Sequence, residues 1–195
     1  MVLPEVSLTV FRGERVGVIG ANGAGKSALL GTVAGSLPPL AGERWAGPSI
    51  RIGRLAQEHE PGPGGDTPVD VLRRQRPCSE EEAVSALMRF LFDYEQIRRP
   101  VSTLSGGERT RLAFLGLMED RPNCLVLDEP TNHLDIDSIE VLEDALERFD
   151  GTVIAVSHDR YFLDRIADRI VLVADGEVSS FEGGWSANAG VLTTD

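Results

Sequence analysis

The stretch Gly20-Ala21-Asn22-Gly23-Ala24-Gly25-Lys26-Ser27 has the spacing G-x-x-x-x-G-K-S. Glycines at these positions let successive backbone N–H groups turn inward onto phosphate oxygens. Lys26 adds a point charge beside the β- and γ-phosphates, and Ser27 offers a hydroxyl to Mg²⁺. About a hundred residues on, "LVLDEP" (125–130) puts Asp128 and Glu129 at the end of an apolar run. One carboxylate there can support the metal and the other can orient or deprotonate a water. His158 ends a second apolar run, "TVIAVS" (152–157), and Gln57 closes "SIRIGRLAQ" (49–57). Both side chains could reach a phosphate, a metal or its water. A second anion cradle is written in "LSGGE" (104–108): Ser105, Gly106 and Gly107 run into a helix whose first amides can face an anion. One chain thus carries two phosphate cradles, about eighty residues apart.

The flanking pattern must hold these residues in place. "RVGVIG" (15–20) predicts a strand that feeds the glycine loop, and "KSALLGTVAG" predicts a helix leaving it. Residues 49–57 alternate as a strand. "EPGPGGDTP" (60–68) predicts a flexible loop. "SEEEAVSALMRFLF" (79–92) predicts a helix with Ser79 as cap and Glu82 three residues on, and "RTRLAFLGLM" (109–118) predicts another. "CLVLDE" (124–129) and "TVIAVS" are continuous apolar runs of strand length, as in a parallel sheet buried on both faces. The segment 138–149 then serves as a crossover helix, and "RIVLVADGEVSSF" (169–181) as a hairpin turning at Asp175-Gly176. The expected fold class is α/β, a P-loop NTPase with a mainly parallel sheet flanked by helices. A small helical subdomain at about 66–118 and some antiparallel strands complete it.

At 195 residues the chain is expected to form one domain. Its net charge of −12 repels polyanions on average, and the basic runs "RRQR" (73–76) and "IRRP" (97–100) read as solvated helix faces. No apolar run approaches the ~20 residues of a bilayer span. The N-terminus has no secretory pattern, and two cysteines, Cys78 and Cys124, read as reduced thiols of a cytoplasmic protein.

In order and spacing, Gly20–Ser27, Gln57, "LSGGE", "LVLDEP", "TNHLD" (131–135) and His158 resemble the motifs of an ATP-binding-cassette nucleotide-binding domain. The resemblance spans nearly the whole chain. "EPTNHLD" is similar to the ABC-F branch, whose members carry tandem ATPase domains without a membrane domain. Residues 89–113 are similar to the lead-in of the second, C-terminal cassette of such proteins. The resemblance implies ATP and Mg²⁺ as ligands and a head-to-tail partner, either the other cassette of a longer protein or a second copy. Each ATP then lies between the P-loop of one cassette and the "LSGGE" of the other, so the two cradles are two half-sites. It assigns Gly20, Asn22, Gly23, Ala24, Gly25, Lys26, Ser27 and Ala28 to phosphate binding in cis. Ser105, Gly106, Gly107 and Glu108 bind in trans, and Asp135 sits in the loop that communicates across the pair. Ser27, Gln57 and Asp128 serve the metal, Glu129 polarises the water, Gln57 touches both, and His158 meets the γ-phosphate. Alone, the chain is expected to hydrolyse slowly, because the trans donors are missing.

By the same resemblance the longer protein acts on the ribosome, in translation or antibiotic resistance. An ATPase subunit of a membrane transporter and a non-catalytic assembly module are the other readings. The "TNHLD" loop argues against the first, and intact Lys26, Asp128, Glu129 and His158 against the second. Two departures stand out. Cassettes usually stack adenine on an aromatic residue upstream of the loop, but only 19 residues precede Gly20 and Phe11 is too near it. The expectation is a cassette lacking its first strand. Ala28 stands where a threonine is common, removing one hydroxyl near the α-phosphate.

Overall fold

The computed structural model describes residues 6–55 and 65–192. A six-stranded sheet runs through them in the order β2-β3-β4-β1-β5-β6. Its strands are β1 (Arg15–Gly20), β2 (Ile52–Leu55), β3 (Cys124–Asp128), β4 (Thr152–Val156), β5 (Arg169–Ala174) and β6 (Glu177–Glu182). The first five lie parallel, and β6 pairs antiparallel with β5. Asp175 and Gly176 both take positive φ at the hairpin turn between them, as two-residue hairpins require.

The apolar runs of β3 and β4 are buried at every position. Alternate residues feed opposite faces. Leu125, Leu127, Val153 and Ala155 join Phe114, Leu142, Leu146 and Phe162 in one core. Val126, Ile154 and Val156 join Val16, Val18, Leu29 and Leu30 in the other. Helix α1 (Lys26–Ala34) therefore covers one face; α5 (Gly106–Glu119), α6 (Ile136–Glu147) and α7 (Arg160–Ile166) cover the other. A last helix, α8 (Trp185–Leu192), packs beside α7.

A third core belongs to the insertion: α2 (Pro68–Gln75), α3 (Glu80–Arg89), α4 (Tyr94–Arg98) and a 3₁₀ turn (Val101–Thr103). Val69, Leu72, Ala83, Leu87, Phe92 and Ile97 pack there against Leu112 and Leu115 of α5. Because Phe114 of α5 faces the sheet core, α5 is a wall shared by insertion and sheet.

Several expectations shift on contact with the structure. The helix expected over 79–92 stops at Arg89, since Leu91 turns to φ 58 and ends it. The helix read from 109 begins at Gly106, and the crossover helix starts at Ile136, because Ser105 and Asp135 cap them earlier. Helices α2, α4, α7 and α8 lack a long apolar period. The run at 73–76 is exposed as expected, and within the two arginine runs Arg74 pairs with Asp66, Arg76 with Glu119 and Arg99 with Glu108. Gln57 and most of the loop 60–68 lie outside the described residues. Phe11 is exposed, and its carbonyl accepts from Thr152 Oγ1 at the start of β4, at the end of the strands opposite the glycine loop. Both cysteines are free. Among the described residues, no helix is long and apolar enough to cross a membrane.

Candidate functional site

The loop after β1 is built to leave donors open. Gly20 takes φ 150 in a gap that a Cβ would close, since that atom would sit 2.2 Å from the carbonyl oxygen of Val173. Gly23 and Gly25 also have positive φ. Gly25 is the N-cap of α1 and supplies no side-chain acceptor. Each of α2 to α7, by contrast, begins with a side chain that accepts a first-turn N–H: Thr67, Ser79, Asp93, Ser105, Asp135 and Asp159. The uncapped start of α1 is therefore the natural seat for an anion. Lys26 is buried, and its ammonium donates to the carbonyl oxygens of Gly20 (2.8 Å) and Ala21 (3.0 Å). Burial lowers its pKa, while Glu129 and Asp128 pull it back up. Asn22, Gly23, Ser27 and Ala28 are exposed around it, and Ala24 is buried beneath.

Two strands bring the acid–base groups to the same edge. Asp128 is the last residue of β3, buried and in register with Val156 of β4. Glu129 still donates its N–H to the Val156 carbonyl (2.9 Å), yet its φ of 49 turns it out of the strand. A left-handed non-glycine residue costs about 1–3 kcal/mol, and such positions cluster at functional sites. The turn sets the Glu129 carboxylate against His158: Oε2 accepts from the His158 backbone N–H at 3.3 Å, and Oε1 lies 3.4 Å from Nε2. His158 remains over half exposed, while the Glu129 side chain is only 9% exposed. Burial pushes the Glu129 carboxyl above the usual carboxylate range, with His158 and Lys26 partly offsetting it. Lys26, Asp128, Glu129 and His158 thus form one constellation. Among the described residues, no three His, Cys, Asp or Glu side chains could hold a metal alone. The Ser27 hydroxyl and the Asp128 carboxylate suit a Mg²⁺ that takes its other oxygens from phosphates and water.

The second cradle is built differently from its sequence reading. Ser105 Oγ accepts from the Glu108 N–H (3.2 Å), and Glu108 Oε2 accepts from the Ser105 N–H (2.6 Å). This capping box occupies two of the donors that "LSGGE" was expected to offer, leaving the amides of Gly106 and Gly107 open. Ser105 and Gly106 are exposed. Gly107 sits so near the "TNHLD" loop that a Cβ would lie 2.7 Å from the His133 carbonyl oxygen. Asp135 accepts from the Ser138 N–H (2.9 Å), which caps α6, and the Ser138 hydroxyl and N–H together hold the Asp135 carboxyl below its ordinary value. Among the described residues no hydrogen bond or ion pair joins 104–108 to 20–27. The sequence reading missed Gln96, whose side chain reaches Glu108. Its signal was the D-x-x-Q cap at 93–96.

An uncapped, lysine-bearing loop between β1 and α1, beside carboxylates at the ends of β3 and β4, defines a nucleoside triphosphate-binding domain. The family described as ABC transporter matches residues 3–132, two thirds of the chain. The chain belongs to that family, as an ATP-binding cassette. It is 43% identical to the ATP-binding protein YbiT of Escherichia coli O157:H7 over 185 residues, covering 93% of this chain and 35% of that protein. It is 41% identical to ABC transporter F family member 4 of Arabidopsis thaliana over 192 residues, 93% of this chain and 27% of that one. The chain thus spans about a third of the length of these curated relatives. The fold matches the dimeric post-hydrolysis structure of the cassette MJ0796 bound to ADP and Pi, with TM-score 0.77 and 23% identity. That match covers 92% of this chain and 90% of the other.

Proposed function

We propose that this cassette hydrolyses ATP as half of an ABC-F protein, pairing head to tail with a second cassette. The observation that carries the reading is the mismatch between the chain's two cradles. The open α1 terminus sits beside Lys26, Glu129 and His158. Among the described residues, no hydrogen bond or ion pair joins the Ser105–Gly107 end to the glycine loop of its own chain.

In this reading Lys26 leaves the carbonyls of Gly20 and Ala21 for the β- and γ-phosphate oxygens. The amides of residues 23–27 hold the remaining phosphate oxygens. Ser27 and Asp128, with Gln57, would hold Mg²⁺, which would supply positive charge to offset that on the phosphates. Glu129 orients a water onto the γ-phosphorus. That water oxygen forms the new P–O bond, the bond to the bridging β–γ oxygen breaks, and ADP carries off that electron pair. The raised pKa of Glu129 suits a group that takes up the water's proton. His158, held at Glu129, steadies the γ-phosphate. Ser105 and the amides of Gly106 and Gly107 close over the partner's γ-phosphate, and Asp135 lies in the loop between the two cassettes. Until they close, the γ-phosphate is open to solvent and hydrolysis is slow.

The likeness to ABC transporter F family member 4 supports an ABC-F parent, and the ABC-F resemblance extends the proposal to a ribosome-bound switch in translation or antibiotic protection. Light scattering of Glu129→Gln tests the pairing. A mass that doubles with Mg-ATP and not without nucleotide supports the reading. A variant that binds ATP yet stays monomeric overturns it.

A further inference from the structure

A chain of hydrogen bonds runs from the insertion to the start of α5. Asp93 caps α4, and its backbone N–H donates to Gln96 Oε1 at 2.8 Å. The other end of the same amide, Gln96 Nε2, donates to Glu108 Oε1 at 2.6 Å. Glu108 Oε2 in turn accepts the N–H of Ser105 at 2.6 Å. Two capping boxes, on α4 and on α5, are therefore joined through one amide–carboxylate contact. Arg99 Nη2 lies 3.6 Å from the same Glu108 oxygen, and the Glu108 side chain is only 14% exposed. A hydrogen bond to a charged acceptor in so sheltered a place is among the stronger kinds.

We infer that Gln96 is a positioning residue for the trans phosphate site: it holds the Glu108 carboxylate, and through it the Ser105 hydroxyl and the Gly106 and Gly107 amides, in the orientation that meets a phosphate. This rests on the reading that Ser105 faces a nucleotide bound by a second cassette. Leu104, Leu112 and Leu115 are buried together in the insertion core, which seats α5 on the insertion up to its cap; Ser105 and Gly106 stand exposed just beyond, where packing ends. The capping box ties Ser105 to Glu108, and the Gln96 hydrogen bond, with Arg99 beside it, ties Glu108 to α4. A shift of α4 against α5 is then transmitted to the phosphate donors through two bonds.

The amide and carboxylate can be exchanged with each hydrogen bond of this chain kept and only the Arg99 ion pair to position 108 given up, which supplies the test. In the Gln96→Glu/Glu108→Gln double variant, the carboxylate at 96 accepts from Asp93 N–H and from the amide at 108. The amide oxygen at 108 still accepts from Ser105. Gln96→Glu alone sets two carboxylates face to face, and Gln96→Met removes the bond without a charge. All are made in the Glu129→Gln chain. The Mg-ATP-dependent dimer constant is measured by sedimentation, ATP binding to the monomer by calorimetry, and folding by urea titration. The dimer is expected to weaken about tenfold with Gln96→Glu and severalfold with Gln96→Met, and to return within about twofold in the exchanged pair. Monomer affinity for ATP should hold throughout. Should Gln96→Glu fail to fold, Gln96→Met and the exchanged pair still decide. Unchanged pairing in Gln96→Met, or no recovery in the exchange, overturns the role of Gln96. If the Glu129→Gln parent binds ATP but never pairs, the trans-site reading falls and takes this one with it.

Discussion

The starts of α1 and α5 are both glycine-rich and both aimed at phosphate, yet they are finished in opposite ways. At α1 the cap is Gly25, no side chain accepts the first-turn amides, and the nearby lysine rests on its own loop. At α5 a serine and a glutamate close a reciprocal box and leave only two amides open. The open end can wrap an anion with several amides at once and so is suited to tight binding in cis. The capped end is rigid before any ligand arrives and presents few donors, which suits a surface that must recognise a phosphate already held elsewhere. Their carboxylates differ in the same sense. Glu108 is occupied within its own helix cap and by Gln96, while the sheltered Glu129 carboxylate faces His158 and feels the charge of Lys26.

The sharpest way to break this contrast is at the open end. Lys26→Ala should abolish measurable ATP binding and hydrolysis while leaving the sheet intact, because its partners are two loop carbonyls. Glu129→Gln should keep ATP binding and lower turnover by about 10²–10³, the scale of losing a general base. If calorimetry found Lys26→Ala binding ATP normally, the open terminus would not be the nucleotide seat.

At the capped end the largest effect should come from Gly107→Ala. Its Cβ would press on the His133 backbone, which cannot swing aside as a side-chain tip would. Nucleotide-dependent pairing should fall by tenfold or more, with ATP binding to the monomer unchanged. Ser105→Ala is milder for the fold, since losing an N-cap costs about 1 kcal/mol. A urea midpoint shifted by that amount, together with weaker pairing, would show one hydroxyl serving both the cap and the partner's phosphate. A stability loss with pairing untouched would confine Ser105 to capping.

How much of this was legible in the sequence follows from the same contrast. Strands β3 and β4 could be read because burial on both faces leaves a continuous apolar run, and the glycine loop because its φ values exclude most residue types. The capped state of "LSGGE" was legible too, as Ser105 with Glu108 three residues on, but its resemblance to an anion site drew the reading the other way. Helix α2 hides in polar sequence: only Thr67, Pro68 and Asp70 announce it, as a cap with proline at the first position. The D-x-x-Q pattern at 93–96 marks Gln96 as a capping residue but not its bond to Glu108, which joins two helix caps that only the tertiary packing brings together. Nor does any local pattern announce the φ of 49 that turns Glu129 toward His158 while its N–H still pairs with Val156.

The smallest expected effect concerns stability and pH, and it probes whether Glu129 is held in reserve by burial. Its carboxyl pKa is raised from the ordinary 4.5, chiefly by burial. The folded chain therefore keeps the Glu129 proton to a higher pH than the unfolded chain does. The stability this gives is fully present below 4.5 and is lost as pH rises through the raised value. Glu129→Gln carries no such loss. Its urea midpoint minus that of the unaltered chain should grow as pH climbs above 4.5, then level off. A difference that shrinks with rising pH would mean that His158 and Lys26 together outweigh burial. Glu129 would then be a carboxylate satisfied in place, as Glu108 is, and the contrast between the two helix ends would rest on Lys26 and the uncapped amides alone.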